Sequence, residues 1–124
     1  MPSVPYLVHM TQLSQSVRLD FDDDIAIIRV DNPPVNALSF HVRQGLLDGV
    51  TQAEQSDATA IVLICEGRTF IAGADITEFS GKPQPPSLQE AQDAMENCSK
   101  PVIAAVHGTA LGGGLEVALC AHYR

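Results

Sequence analysis

The chain has 124 residues, room for one small domain. At 45% hydrophobic and 18% charged it reads as soluble and globular, which excludes an intrinsically disordered chain. A formal net charge of −8 argues against nucleic acid or an anionic membrane surface as a partner, while a small anionic ligand stays compatible with a site of locally different sign.

Residues 1–16 read as a flexible leader. "MPSVPYLVHMTQLSQ" has no basic n-region and no Arg precedes Arg18, which disfavours a secretory signal or an organelle presequence. "SVRLDF" and "IAIIRV" predict two strands, with Asp22-Asp23-Asp24 as a hairpin turn between them. "DNPPVNALS" is a loop by its two prolines and two asparagines. Helical spacing runs from Ser39 to about Gln55, with Val42, Leu46, Leu47 and Val50 on one face. Ser39 reads as the cap of that helix, not as a nucleophile, because no G-x-S-x-G surrounds it.

"AIVLIC" (60–65) and "PVIAAV" (101–106) are short apolar runs, expected to be strands buried on both faces. Asp75-Ile-Thr-Glu78 and Ser87-Leu-Gln-Glu90 have capping-box spacing and should each open a helix, the second reaching about Asn97. "SGKPQPPS" between them is a mobile loop by composition. "HGTALGGG" turns out of the second apolar run, and "LEVALCA" begins a last helix. Buried strands alternating with helices predict an α/β fold of βαβ units.

Cys65, Cys98 and Cys120 form no CxxC and have no His at ligand spacing, so core cysteines in a reducing cytosol, and no metal site, are expected. His107 reads as structural, and His122 has no evident partner. No run of about 18 apolar residues is present, so no membrane span is expected.

Both apolar runs lead into a loop of small residues and then a helix. The first loop holds Ala72, Gly73 and Ala74, the second Gly112, Gly113 and Gly114. Small residues let backbone N–H groups approach a ligand, and a helix N-terminus adds free donors. Two such loops side by side can aim two N–H groups at one oxygen, an oxyanion hole. Each loop alone also serves as a tight turn. Neither has Walker A or GxGxxG spacing. Glu116 is the only charged residue between Pro101 and Leu119. It suits a first helical turn through the helix dipole, and it equally suits a general base whose pKa an apolar surround raises.

"GRTFIAGADITEF" followed by "KPVIAAVHGTALGGGLEVAL", with "NPPVNALS" upstream, resembles the crotonase family of enoyl-CoA hydratases and isomerases. "HGTALGGGLEVAL…HYR" is most similar to the N-terminal hydratase module of multifunctional β-oxidation proteins. The resemblance implies the N-terminal half of a crotonase-like ββα superhelix over 17–124, truncated at Arg124. It implies that the N–H groups of Ala74 and Gly113 hold the acyl-thioester oxygen as it becomes an enolate. Glu116 matches the Glu that positions and deprotonates the attacking water. Ala37, Ala72 and Ile76 match positions lying against coenzyme A, and Asp75 matches a residue read as a helix cap. A second catalytic Glu of the hydratases would fall past Arg124.

The implied reaction is syn hydration of a 2-enoyl-CoA in fatty-acid β-oxidation. It needs no metal or redox cofactor, and NAD enters only with a downstream dehydrogenase module. The partner is an acyl-CoA. A homo-oligomer or association with a full-length relative is the further expectation, in the cytoplasm. The alternatives are a non-catalytic truncated acyl-CoA-binding or association fragment, or an enoyl-CoA isomerase.

Overall fold

A computed structural model describes residues 10–124. Of the leader read over 1–16, residues 1–9 therefore lie outside the described residues. Thr11–Gln12 (β1) pairs antiparallel with Val17–Asp22 (β2), and Leu13 packs against the core. β2 pairs antiparallel with Ile25–Val30 (β3) through a turn in which Asp23 takes φ +51°. Ala60–Cys65 (β4) and Val102–Ala105 (β5) then extend the sheet in parallel, giving the order β1-β2-β3-β4-β5.

Parallel neighbours need crossovers, and helices supply them. Phe40–Gln55 (α1) joins β3 to β4, and Leu88–Glu96 (α2) joins β4 to β5. The Ser39 hydroxyl accepts from Val42 N (3.3 Å) and the Ser87 hydroxyl from Glu90 N (3.1 Å), so both predicted caps satisfy a first-turn amide that the helix itself leaves free. Val42, Leu46, Val50 and Ala53 form the buried stripe of α1, which packs on β2 and β3. Leu47, expected on that stripe, is half-buried at its edge. Gly113–Cys120 (α3) follows β5 and packs on α2. No helix among the described residues is long and apolar enough to cross a membrane.

The expectation of strands buried on both faces is corrected by the burial pattern. Ile61, Leu63 and Cys65 are buried, whereas Ala60, Val62 and Ile64 are only half-buried; β5 alternates in the same way. One face of the sheet carries the helices and the other is partly open. The open face also holds a charged group. Arg18 and Arg29 stand directly opposite each other, a pairing that costs energy unless acids separate them. Asp20 accepts from Arg29 Nε at 2.7 Å, and Glu66 reaches both guanidinium groups at 3.4 and 3.5 Å.

His122, expected without a partner, is in fact tied into the fold. Its Nδ1 accepts from Val102 N (2.9 Å), while its own N–H donates to Val102 O (2.9 Å), fastening the residues after α3 beside β5. His107 is structural as predicted, with Nε2 2.9 Å from Gly67 O.

Candidate functional site

Three loops leave the C-terminal ends of the parallel strands β3, β4 and β5, the side on which open α/β sheets hold ligands. They are laced together by backbone bonds. Phe70 N donates to His107 O (2.8 Å), and Thr69 Oγ1 both donates to Thr109 O (2.6 Å) and accepts from Thr109 N (2.8 Å). A Cβ on Gly114 would overlap the Ile71 carbonyl. The loop after β3 joins them. Asn36, buried and at φ +54°, donates through Nδ2 to Glu66 O and Thr69 O, both at 2.9 Å, while its Oδ1 accepts from Asn32 N. Leu38 N donates to Gly73 O (2.9 Å), and Leu38 forms a parallel bridge with Ala74.

This lacing brings the two small-residue loops together. The Cα of Gly73 lies 4.0 Å from where a Cβ of Gly112 would stand. Ala74 and Gly113 are each preceded by a glycine at positive φ, +137° at Gly73 and +54° at Gly112. Such values are open to glycine and costly to other residues, and they set the direction of the following peptide. Among the described residues, no acceptor is recorded for Ala74 N or Gly113 N. The helix expected from Leu115 starts earlier. Gly113 is its first residue and Gly112 its cap, so the Gly113 amide is one of the free donors at the helix start.

Glu116 lies in the first turn of α3, as predicted. The apolar surround expected for it is not what the structure shows: the residue is exposed, with Gln92 Nε2 of α2 at 3.5 Å from its carboxylate. Ala37 and Ala72 are half-buried backbone positions on adjoining loops, Ala72 N donating to Val35 O (3.1 Å). Ile76 is 75% exposed. Asp75 caps the 3-10 turn Ile76–Glu78, accepting from Thr77 N (3.0 Å).

A cleft of about 530 Å³ opens beside Ala74, walled by Leu38, Phe79, Leu88, Arg43 and Glu78. Gly113 stands at its margin, where an added Cβ would lie 2.6 Å from Leu38 Cδ1 and 3.1 Å from Leu88 Cδ2. Glu116, Ala37, Ala72 and Ile76 do not line it. Sequence reasoning gave no individual role to Asn36, Leu38 or Arg43, although Asn36 and Leu38 lie in the quoted "NPPVNALS". Glu78 was read only as half of a capping box, yet its carboxylate reaches across to α1, accepting from Phe40 N and Arg43 Nη1, both at 2.8 Å.

The model of the family "Enoyl-CoA hydratase/isomerase" matches residues 20–124. A peroxisomal bifunctional enzyme of Danio rerio is 46% identical over 101 residues, covering 81% of this chain and 14% of that protein. A probable enoyl-CoA hydratase of Bacillus subtilis is 39% identical over 117 residues, covering 88% of this chain and 45% of that protein. The crystal structure of an enoyl-CoA hydratase/carnithine racemase from Magnetospirillum magneticum superposes with a TM-score of 0.83 at 26% identity, over 94% of this chain and 47% of that one. The chain thus spans less than half the length of each of these relatives.

Proposed function

The chain belongs to the enoyl-CoA hydratase/isomerase family, and from that membership we propose that it carries the thioester-binding half of a hydratase site acting on 2-enoyl-CoA substrates of fatty-acid β-oxidation. The observation that carries this reading is the placement of Ala74 and Gly113. Each follows a positive-φ glycine, on loops held side by side, with no acceptor recorded for either amide among the described residues. Both amides donate to the thioester carbonyl oxygen. The donors are backbone groups fixed in advance, so they reward the charge that develops on oxygen without reorganising; losing one such donor typically costs about 3–4 kcal/mol of barrier.

In the proposed chemistry, polarisation of the carbonyl makes the β-carbon electrophilic. Water adds there as Glu116 takes its proton, leaving the enolate on the oxygen that Ala74 and Gly113 hold. A proton delivered to the α-carbon on the same face completes the syn addition. Ala37, Ala72 and Ile76 lie against the coenzyme A moiety. The three free cysteines suit a reducing compartment. The cytoplasm remains our proposal for it, and fluorescence localisation of a tagged chain tests it.

The experiment is hydration of crotonyl-CoA by the purified chain, with Glu116→Gln beside it. Turnover in the wild type that is lost in Glu116→Gln supports the reading. No turnover in either, from monodisperse protein that also fails to bind crotonyl-CoA, overturns it.

A second reading rests on one observation: Leu111, Leu115, Leu119 and Tyr123 are all exposed around Glu116. In it the chain is a non-catalytic module that binds acyl-CoA and covers this stripe with a second copy of itself. Binding without turnover from a dimer in light scattering is its expected result. A shift of a 3-enoyl-CoA double bond in place of hydration would mark the isomerase instead.

A further inference from the structure

Arg43 is the least exposed guanidinium among the described ion pairs, with 13% of its side chain in solvent. Four hydrogen bonds engage it. Its Nη1 donates to Leu38 O (2.9 Å) and to Glu78 Oε1 (2.8 Å), Nε to Pro86 O (3.0 Å) and Nη2 to Gln84 O (3.2 Å). One side chain of α1 thereby holds the loop after β3, the 3-10 turn after Ala74 and the loop before α2. Glu78 closes the arrangement, its other oxygen accepting from Phe40 N at the start of α1. Helix stability alone does not require this reach, since Ser39 already caps α1.

The residue held at the centre is Leu38. Its backbone forms the bridge to Ala74 and donates to Gly73 O, and its side chain lies in the space that a Cβ on Gly113 would enter. Leu38 therefore touches both peptides whose amides were assigned to the thioester oxygen. We infer that Arg43, paired with Glu78, is the positioning residue of this site: by fixing the Leu38 carbonyl it sets the distance and direction of the Ala74 amide, and by holding 84–86 it fixes the wall of the cleft beside it. Arg43 acts through the Leu38 carbonyl and residues 84–86, to which its guanidinium is bonded. A lysine cannot substitute, because a single ammonium group has no planar fork to bind three carbonyls and a carboxylate at once.

This inference rests on the assignment of Ala74 and Gly113 as carbonyl donors, and two readouts separate the two. Arg43→Lys and Arg43→Met are compared with wild type by amide NMR without ligand. They are also compared through the absorption of bound 4-dimethylaminocinnamoyl-CoA, which moves to the red as its carbonyl accepts hydrogen bonds. The amide signals of Leu38, Gly73 and Ala74 should move in both variants while those of β2 and β3 stay. The red shift should fall by about half, since one of two donors is displaced. An unmoved Ala74 amide in both variants, or a wild-type red shift retained in both, overturns the role of Arg43. A wild type that binds the probe with no red shift overturns the carbonyl-donor assignment instead, whatever the Arg43 variants do in the unliganded NMR comparison. Arg43→Lys keeps the charge and the stem, so it carries the test if Arg43→Met does not fold.

Discussion

Gly114 sits on the carbonyl of Ile71, close enough that a Cβ at 114 would overlap that oxygen. The same oxygen accepts from Leu111 N at 3.4 Å, so the contact is part of the lacing between the loops after β4 and β5. A backbone carbonyl cannot swing aside as the tip of a side chain can. Gly114→Ala should therefore cost about 1–3 kcal/mol or more through overpacking. Gly113→Ala meets only the ends of Leu38 and Leu88 and should cost less. Urea unfolding of the two variants beside wild type checks the order. Equal losses would mean that α3 does not press on Ile71.

Asn36 supplies the second prediction. Its side chain is buried and serves three backbone groups: Asn32 N, Glu66 O and Thr69 O. Asn36→Ala leaves those groups without their partner and also loses a residue type that tolerates φ +54°. A buried polar group left unmade costs about 1–3 kcal/mol, so a loss of at least that size is expected in chemical denaturation. Hydrogen exchange should quicken at Phe70 and Ala72, whose amides bond within the laced loops. Unchanged protection there would show that the loops hold together without Asn36.

Much of this framework was legible because it is written in local signals. The hairpin around Asp23, the caps Ser39, Asp75 and Ser87, and the apolar stripe of α1 each depend on neighbours a few residues away. What escaped depends on residues brought together by the fold. Nothing near Glu78 in sequence marks Phe40 and Arg43 as its partners, 38 and 35 positions distant. Nothing around His122 announces Val102 N. The apolar runs of β4 and β5 suggested burial on both faces because composition reports hydrophobicity and not the presence of a covering layer. The exposure of Glu116 escaped for the same reason: its sequence neighbours are apolar, but on α3 Leu115 and Leu119 are themselves exposed.

Cys65 makes stability depend on alkaline pH. Burial first, and the neighbouring Glu66 carboxylate second, push its thiol from the ordinary 9.0 up to about 12. The folded chain holds this proton more tightly than the unfolded chain does. Its contribution is therefore complete below about pH 9 and is lost as pH rises toward 12, at about 1.4 kcal/mol per pH unit inside that window. Cys65→Ala lacks the thiol while keeping every other titrating group. The stability gap between wild type and Cys65→Ala should hold steady from pH 7 to 8.5 and narrow at pH 10. A gap independent of pH would show that the thiol ionises as readily in the folded chain as in the unfolded one. Alkylation follows the same logic: iodoacetamide at pH 8 should leave Cys65 unmodified in the native protein.

Gly112 separates strain from crowding. Its φ and ψ of +54° and −124° belong to a region that side-chain-bearing L-residues avoid, while the nearest atom to an added Cβ, the Gly73 Cα, is 4.0 Å away. Space is available at Gly112 and the dihedral is not. Gly112→Ala should therefore lose about 1–3 kcal/mol from backbone strain alone, or relax by turning the 112–113 peptide. The second response redirects the Gly113 amide. Red shift of bound 4-dimethylaminocinnamoyl-CoA should then fall even in samples where urea unfolding shows little loss, and D-alanine introduced at 112 by semisynthesis should restore both quantities, since it accepts positive φ. Loss of red shift with L-alanine and recovery with D-alanine would tie the glycine's conformation to the donor. Equal damage from both alanines would show that the methyl group, and not the dihedral, is what position 112 rejects.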